Sequence, residues 1–206
     1  MFNLESLPLG IILGMVAGLS PGPMLILTVT ETLKYGKKEG FKVAVSPLIT
    51  DSTIILTTLL ALSTFARHTH AIGLISIFGA FYLIYLGLEN FRNKKDRFKI
   101  AVKKEALKLG IVTNLLNPNT YLFWISVGDP IILKALENDA SAIIPFLLGF
   151  YAFLIGSMMS VVLLVDKSKT FDKSKHYSYI IRILGIFLIF FALTFLIEGL
   201  RLVAII

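Results

Sequence analysis

Between positions 140 and 165 no residue carries a charge. A helix rises about 1.5 Å per residue, so roughly 20 apolar residues cross a hydrocarbon core of about 30 Å. Five further stretches follow the same pattern. Residues 6–30, 71–88 and 109–128 are uncharged, 43–66 is broken only by Asp51, and 177–197 only by Arg182. Barrel strands would need about 9–11 residues of alternating polarity, and these runs do not alternate. Only 16% of the chain is charged and 56% is hydrophobic, against roughly 25% charged residues in a soluble domain. The expectation is one all-α integral-membrane domain over residues 1–206 with six transmembrane helices.

Charge placement sets the predicted orientation. The segments 31–42, 92–108 and 167–176 hold sixteen of the 20 Lys and Arg residues, and basic connections stay in the cytoplasm. Both termini are therefore expected outside a plasma membrane, with those three loops inside. No Lys or Arg precedes the first run, so it reads as a retained helix and not as a secretion signal. Segment 92–108 fits either a solvated basic loop or an interfacial helix, with Phe98, Val102 and Leu109 on one face and Lys99 and Lys103 opposite.

The same composition excludes several functions. The formal charge of +7 is divided into short clusters, not spread over a face that could follow a nucleic acid. The chain has no Cys, and His68, His70 and His176 all fall in connections, so no metal or cofactor site is expected. No nucleophile–base pair lies within a span, which argues against an enzyme. No phosphate-cradling Gly-x-x-x-x-Gly-Lys-Ser/Thr loop is present, so ATP would not drive this chain alone.

Two spans carry helix-breaking sequence at similar depth: Gly18-Leu19-Ser20-Pro21-Gly22-Pro23 in the first, and Asn114-Leu115-Leu116-Asn117-Pro118-Asn119 in the fourth. A proline inside a helix removes a donor and clashes with the preceding turn, at about 3 kcal/mol or more. Within lipid, such a break persists only where protein or a wet cavity satisfies the freed backbone. Spans 1–3 (about 6–91) and 4–6 (about 109–200) then read as two inverted three-helix repeats with broken helices 1 and 4, a pattern that points to a midplane transport site. Ser20, Pro21, Gly22, Pro23, Asn114, Asn117, Pro118 and Asn119 are the candidate lining.

Asp51 lies about eight residues into span 2, beside Ser46, Thr50, Ser52 and Thr53. A carboxylate at that depth is charged only if a cation or hydrogen-bond donors reach it. It is either a proton-coupling or cation-binding group, or a structural acceptor. Arg182 is a candidate ion-pair partner for it, or a side chain that snorkels to the interface. Gly128-Asp129-Pro130 reads as an ordinary helix terminator. Gly73, Gly79, Gly87, Gly149 and Gly156 recur at spacings that suit close helix packing. Tyr121, Phe123 and Trp124 fit a core or lipid-facing role better than stacking on a ligand.

The Gly18-to-Pro23 element, an Asp midway along the second span, and Asn117-Pro118-Asn119 before an aromatic run together resemble the LysE/RhtB family of amino-acid exporters. The resemblance covers essentially the whole chain. It implies secondary export of amino acids or related metabolites, drawing on the proton gradient, with Pro21, Gly22, Pro23, Asp51, Asn117 and Pro118 shaping the pathway. This chain has Thr50 and Ser46 or Pro47 where the family usually has Gly, and Asn119 where it often has Lys. A metal-ion exporter of related architecture and a non-transporting scaffold or channel are the alternatives, and homo-oligomerisation is open. The expected partners are a small-molecule substrate and the lipid bilayer.

Overall fold

The computed structural model describes residues 6–62, 69–91, 105–168 and 175–203. Among them every regular element is helical: α1 (Leu7–Leu19), α2 (Pro23–Tyr35), α3 (Lys37–Ala44), α4 (Pro47–Leu62), α5 (Thr69–Phe91), α6 (Ala106–Leu115), α7 (Pro118–Phe123), α8 (Asp129–Asn138), α9 (Ile143–Ser168) and α10 (Lys175–Leu202). A π-turn at Trp124–Gly128 joins α7 to α8, and a short 3-10 turn at Ala140–Ala142 precedes α9. Four helical stretches are long and apolar enough to cross a membrane: Lys37–Leu60, Ile72–Phe91, Ala140–Lys167 and Tyr179–Leu202. The bent pair α1 and α2 makes a fifth.

Prolines place the interruptions. α1 and α2 meet at 61° across Ser20-Pro21-Gly22, and Pro23 opens α2, where a missing N–H costs nothing. Pro118 likewise opens α7 after the break at Leu116-Asn117. The fourth predicted span is therefore no continuous helix of membrane length. Pro47 adds a discontinuity in the second span, at Val45-Ser46.

Two expected boundaries are corrected. The first run does not end at Thr30: α2 continues to Tyr35 and buries Glu31, Thr32 and Leu33. The supposed loop 31–42 is thus two helices meeting at Gly36, whose φ of +100° lies in a region essentially reserved for glycine. Likewise Gly128-Asp129-Pro130 ends no helix. Pro130 occupies the first turn of α8, and the wider π-turn before it leads the chain onward. Most of segment 92–108 lies outside the described residues, as does most of 167–176. α6 begins at Ala106, ahead of the expected start at Leu109.

Small residues set the packing. The buried residues of α1 are Gly10, Gly14 and Gly18, and a methyl on any of them would overlap α9 at Phe146, Phe150, or Leu154 and Ser157 respectively. Gly149 returns the contact, since a methyl there would stand 2.9 Å from the Leu7 carbonyl oxygen. α5 and α10 pack antiparallel in a reciprocal register. A methyl on Gly73 would stand 3.0 Å from the Gly199 carbonyl oxygen, and one on Gly87 3.0 Å from that of Gly185. Ala80 and Ala192, both fully buried, lie midway between these pairs. Small residues repeating every seven positions on both helices favour close, left-handed crossing. Gly156 does not fit the expectation: nothing lies within 4 Å of its added methyl. It opens instead into an apolar groove of about 520 Å³ between α1 and α9, with Leu19 and Ser160.

The apolar interior forms two clusters. One gathers Leu27, Val43, Leu83, Leu188 and Phe195, the other Ile54, Trp124, Phe146, Phe150 and Met158, and Met24 packs against both. Phe78, Phe81, Tyr85, Ile186, Phe187 and Phe190 point outward, as expected of a surface whose solvent is lipid.

Candidate functional site

Asp51 is buried in α4, at 2% exposure. The side-chain amide of Asn114, from the last turn of α6, donates to Asp51 Oδ1 at 2.7 Å and to Thr50 Oγ1 at 2.6 Å. The Thr50 hydroxyl stands 3.4 Å from the same carboxylate oxygen. The Tyr151 hydroxyl of α9 faces Oδ2 at 3.4 Å. Thr120 of α7 donates to Asn114 Oδ1 at 3.0 Å, which fixes the orientation of the amide. Trp124, fully buried, directs its indole toward the same carboxyl group without closing a hydrogen bond.

A buried carboxylate surrounded by neutral donors is stabilised without being neutralised, so it keeps an electrostatic demand for a cation or a proton. Three elements supply the donors, α4, α6 and α9, and the break at Leu116-Asn117 lets Thr120 of α7 return onto Asn114. Without that step α6 would continue past Asn114 and carry Thr120 and Trp124 around its axis. Asn117 caps α7 by accepting from the Asn119 N–H at 3.2 Å. The Tyr121 hydroxyl donates to the Leu115 carbonyl at 3.0 Å, satisfying an acceptor that the break frees.

The structure thus brings Asp51 together with Asn114 and places both beside the second break. Asn117 and Pro118 are buried there, while Asn119 is exposed. At the first break Pro23 is buried, Gly22 is half-buried, and Ser20 and Pro21 are exposed. Met24, the next residue, reaches the apolar cluster that contains Trp124. The suggested ion pair of Asp51 with Arg182 does not form. Arg182 is exposed on α10, and the partners of Asp51 are Asn114, Thr50 and Tyr151. Among the described residues no group of three or more His, Cys, Asp or Glu could hold a metal ion.

Tyr151 and Asp129 were not among the residues expected here. Trp124 is fully buried in the apolar core, one of the roles expected for it, and Gly128 is needed beside it because a methyl there would overlap the indole ring. Tyr151 sits in an unbroken apolar run, where a lone Tyr carries no signal. Asp129 is fully buried, and neither of its carboxyl oxygens has a hydrogen-bond partner among the described residues. Thr58 of α4 faces it, but that hydroxyl donates to the Ile54 carbonyl at 2.9 Å. Thr58 lies seven residues beyond Asp51, on the same face of α4, so the two acids occupy successive levels along one helix.

The family model for the LysE type translocator matches residues 15–199. The uncharacterized membrane protein YrhP of Bacillus subtilis (strain 168) is 27% identical over 191 residues, covering 84% of this chain and 90% of that protein. The putative amino acid efflux protein YcgF of the same organism is 23% identical over 133 residues, covering 62% of this chain and 64% of its own length. No solved structure matches the chain. A multi-pass helical membrane protein with a buried acid held at a proline break, matched over most of its length, belongs to the LysE type translocator family.

Proposed function

We propose that this chain exports amino acids or similar small zwitterionic metabolites by alternating access, coupled to protons at Asp51. The observation that carries the reading is the buried Asp51 carboxylate, held by Asn114 beside the Leu116-Asn117 break. A carboxylate among neutral donors can exchange a proton for a substrate ammonium with little rearrangement. Membership of a translocator family and the name of the YcgF relative support a small-molecule substrate.

In this reading the chain is one domain of six spans, with α6, α7 and the π-turn forming the broken fourth. Two helix contacts support reading the halves as inverted repeats. α1 on α9 has its counterpart in the fourth span on α4, and α5 on α10 maps onto itself. Both termini lie outside, and the basic segments face the cytoplasm. Pro23, Gly22, Asn117 and Pro118 shape the path, with Ser20, Pro21 and Asn119 beside them at the two breaks.

Efflux from proteoliposomes loaded with a panel of amino acids, with and without an imposed pH gradient, tests the proposal. At least one amino acid should leave faster with the gradient than without it. The reading fails if none leaves faster than from empty liposomes.

A further inference from the structure

Among the described residues Asp129 is the most completely enclosed acid, at 0% exposure, and neither of its carboxyl oxygens has a hydrogen-bond partner. The backbone explains why. An Asp that caps a helix has a non-helical backbone, which turns its carboxyl group onto the first free N–H groups. Asp129 instead has φ −66° and ψ −40°, within an unbroken passage from the π-turn into α8, and its own N–H donates to the Trp124 carbonyl. The next residue, Pro130, has no N–H to offer.

The surroundings are apolar. α4 packs against the π-turn and against α8, and Ile54 and Leu59 of α4, Trp124 of the turn, and Ile131 and Ile132 of α8 belong to one cluster. Thr58 is 2% exposed, shares the α4 face of Ile54, and lies toward Asp129. Its hydroxyl hydrogen is directed at the Ile54 carbonyl, 2.9 Å away, which leaves its lone pairs for an incoming O–H.

No counter-charge reaches this carboxyl group from the described residues of the elements packed around it. Asp51 is held by Asn114, Tyr151 of α9 is directed at Asp51, and Tyr121 of α7 donates to the Leu115 carbonyl. Lys134 and Glu137 on α8, and Asp139 after it, are exposed. Asp166 and Lys167 lie at the far end of α9 from the 3-10 turn. An enclosed carboxylate without a cation is unfavourable beside its neutral acid, and the acid has a single O–H to place. We propose that Asp129 is a second proton-binding site, whose acid form donates to Thr58 about 10 Å beyond Asp51 along α4. As a group that loads Asp51 with protons it rests on the exporter reading, but proton binding there does not.

Infrared spectra of the full chain in lipid nanodiscs test the site. At about pH 5 an ordinary hydrated aspartate, with a pKa near 3.9, is mostly ionised. The difference between wild type and Asp129→Asn should there show the loss of a protonated-carboxyl C=O stretch, and the same loss should accompany Asp129→Asn in an Asp51→Asn background. The band should fade only at a proton concentration at least tenfold below that which half-titrates an ordinary aspartate. Loss of the ionised-carboxylate stretches in its place at about pH 5 overturns the proposal. If Asp129→Asn does not fold, Asp51→Asn grown with aspartate isotopically labelled at the side-chain carboxyl carbon decides, and absence of a labelled protonated band overturns the site. A titrating Asp129 band in a protein that exports no amino acid of the panel leaves the site standing and removes the exporter reading. Gradient-driven efflux with Asp129 ionised at about pH 5 removes the site alone.

Discussion

Asn114 donates to Asp51 at 2.7 Å and so ties the helix before the second break to the acid on α4. Replacing this donor with an apolar side chain of similar volume leaves a buried acceptor underserved, at about 1–3 kcal/mol. Asn114→Leu should therefore lower the thermal midpoint in detergent and cut efflux at least tenfold. Asp51→Asn retains shape and removes the titrating group. It should keep the midpoint near that of wild type and abolish any dependence of efflux on the pH gradient. Efflux that still follows the gradient would refute the coupling role.

Asp129 makes the opposite prediction for stability. Its two carboxyl oxygens are buried without hydrogen bonds among the described residues, an arrangement that weakens the folded state and persists when function requires it. Asp129→Asn should raise the thermal midpoint by several degrees and reduce efflux at least tenfold. A lower midpoint with undiminished efflux would show that the carboxyl group is structural.

Gly14 and Gly156 form a matched pair for testing the α1–α9 contact. A methyl on Gly14 collides with the Phe150 carbonyl, whereas one on Gly156 meets nothing within 4 Å. Gly14→Ala should destabilise by about 1–3 kcal/mol through overpacking, and Gly156→Ala should change stability by less than about 0.5 kcal/mol. Chemical denaturation of the two variants in mixed micelles gives the comparison.

Gly36 isolates a backbone effect. It has open space around it, yet its φ is +100° and its ψ 169° at the corner between α2 and α3. Gly36→Ala should cost about 1–3 kcal/mol from conformation alone, read as a lower unfolding midpoint. An unchanged midpoint would mean that the corner adopts another backbone conformation.

The long apolar helices α5, α9 and α10 were legible because burial in lipid needs only a run of hydrophobic residues. The proline breaks were legible because proline acts through its own covalent geometry. Asp51 stood out as a charge where charges are expensive. Glu31 and Asp129 did not, because each lies at the end of an apolar run, where a charge is cheap if the helix stops. Both helices continue, under packing that a single stretch of sequence does not reveal. Asn114 was identifiable as a polar residue near a break, but its hydrogen bond to a residue 63 positions away depends on how α4 meets α6. The partnership of Asp51 with Tyr151, and its separation from Arg182, belong to the same class of tertiary fact.

The reciprocal glycines of α5 and α10 also limit how this molecule can move. Each backbone lies against the other at matched points, so sliding by a single position would drive side chains into carbonyl groups at both ends of the contact at once. That pair behaves as a fixed chassis. On the exporter reading, opening toward either side of the bilayer would draw on the interrupted stretches instead, the elbow at Ser20-Pro21-Gly22, the step at Leu116-Asn117 and the discontinuity at Val45-Ser46, where rotation sacrifices the fewest bonds.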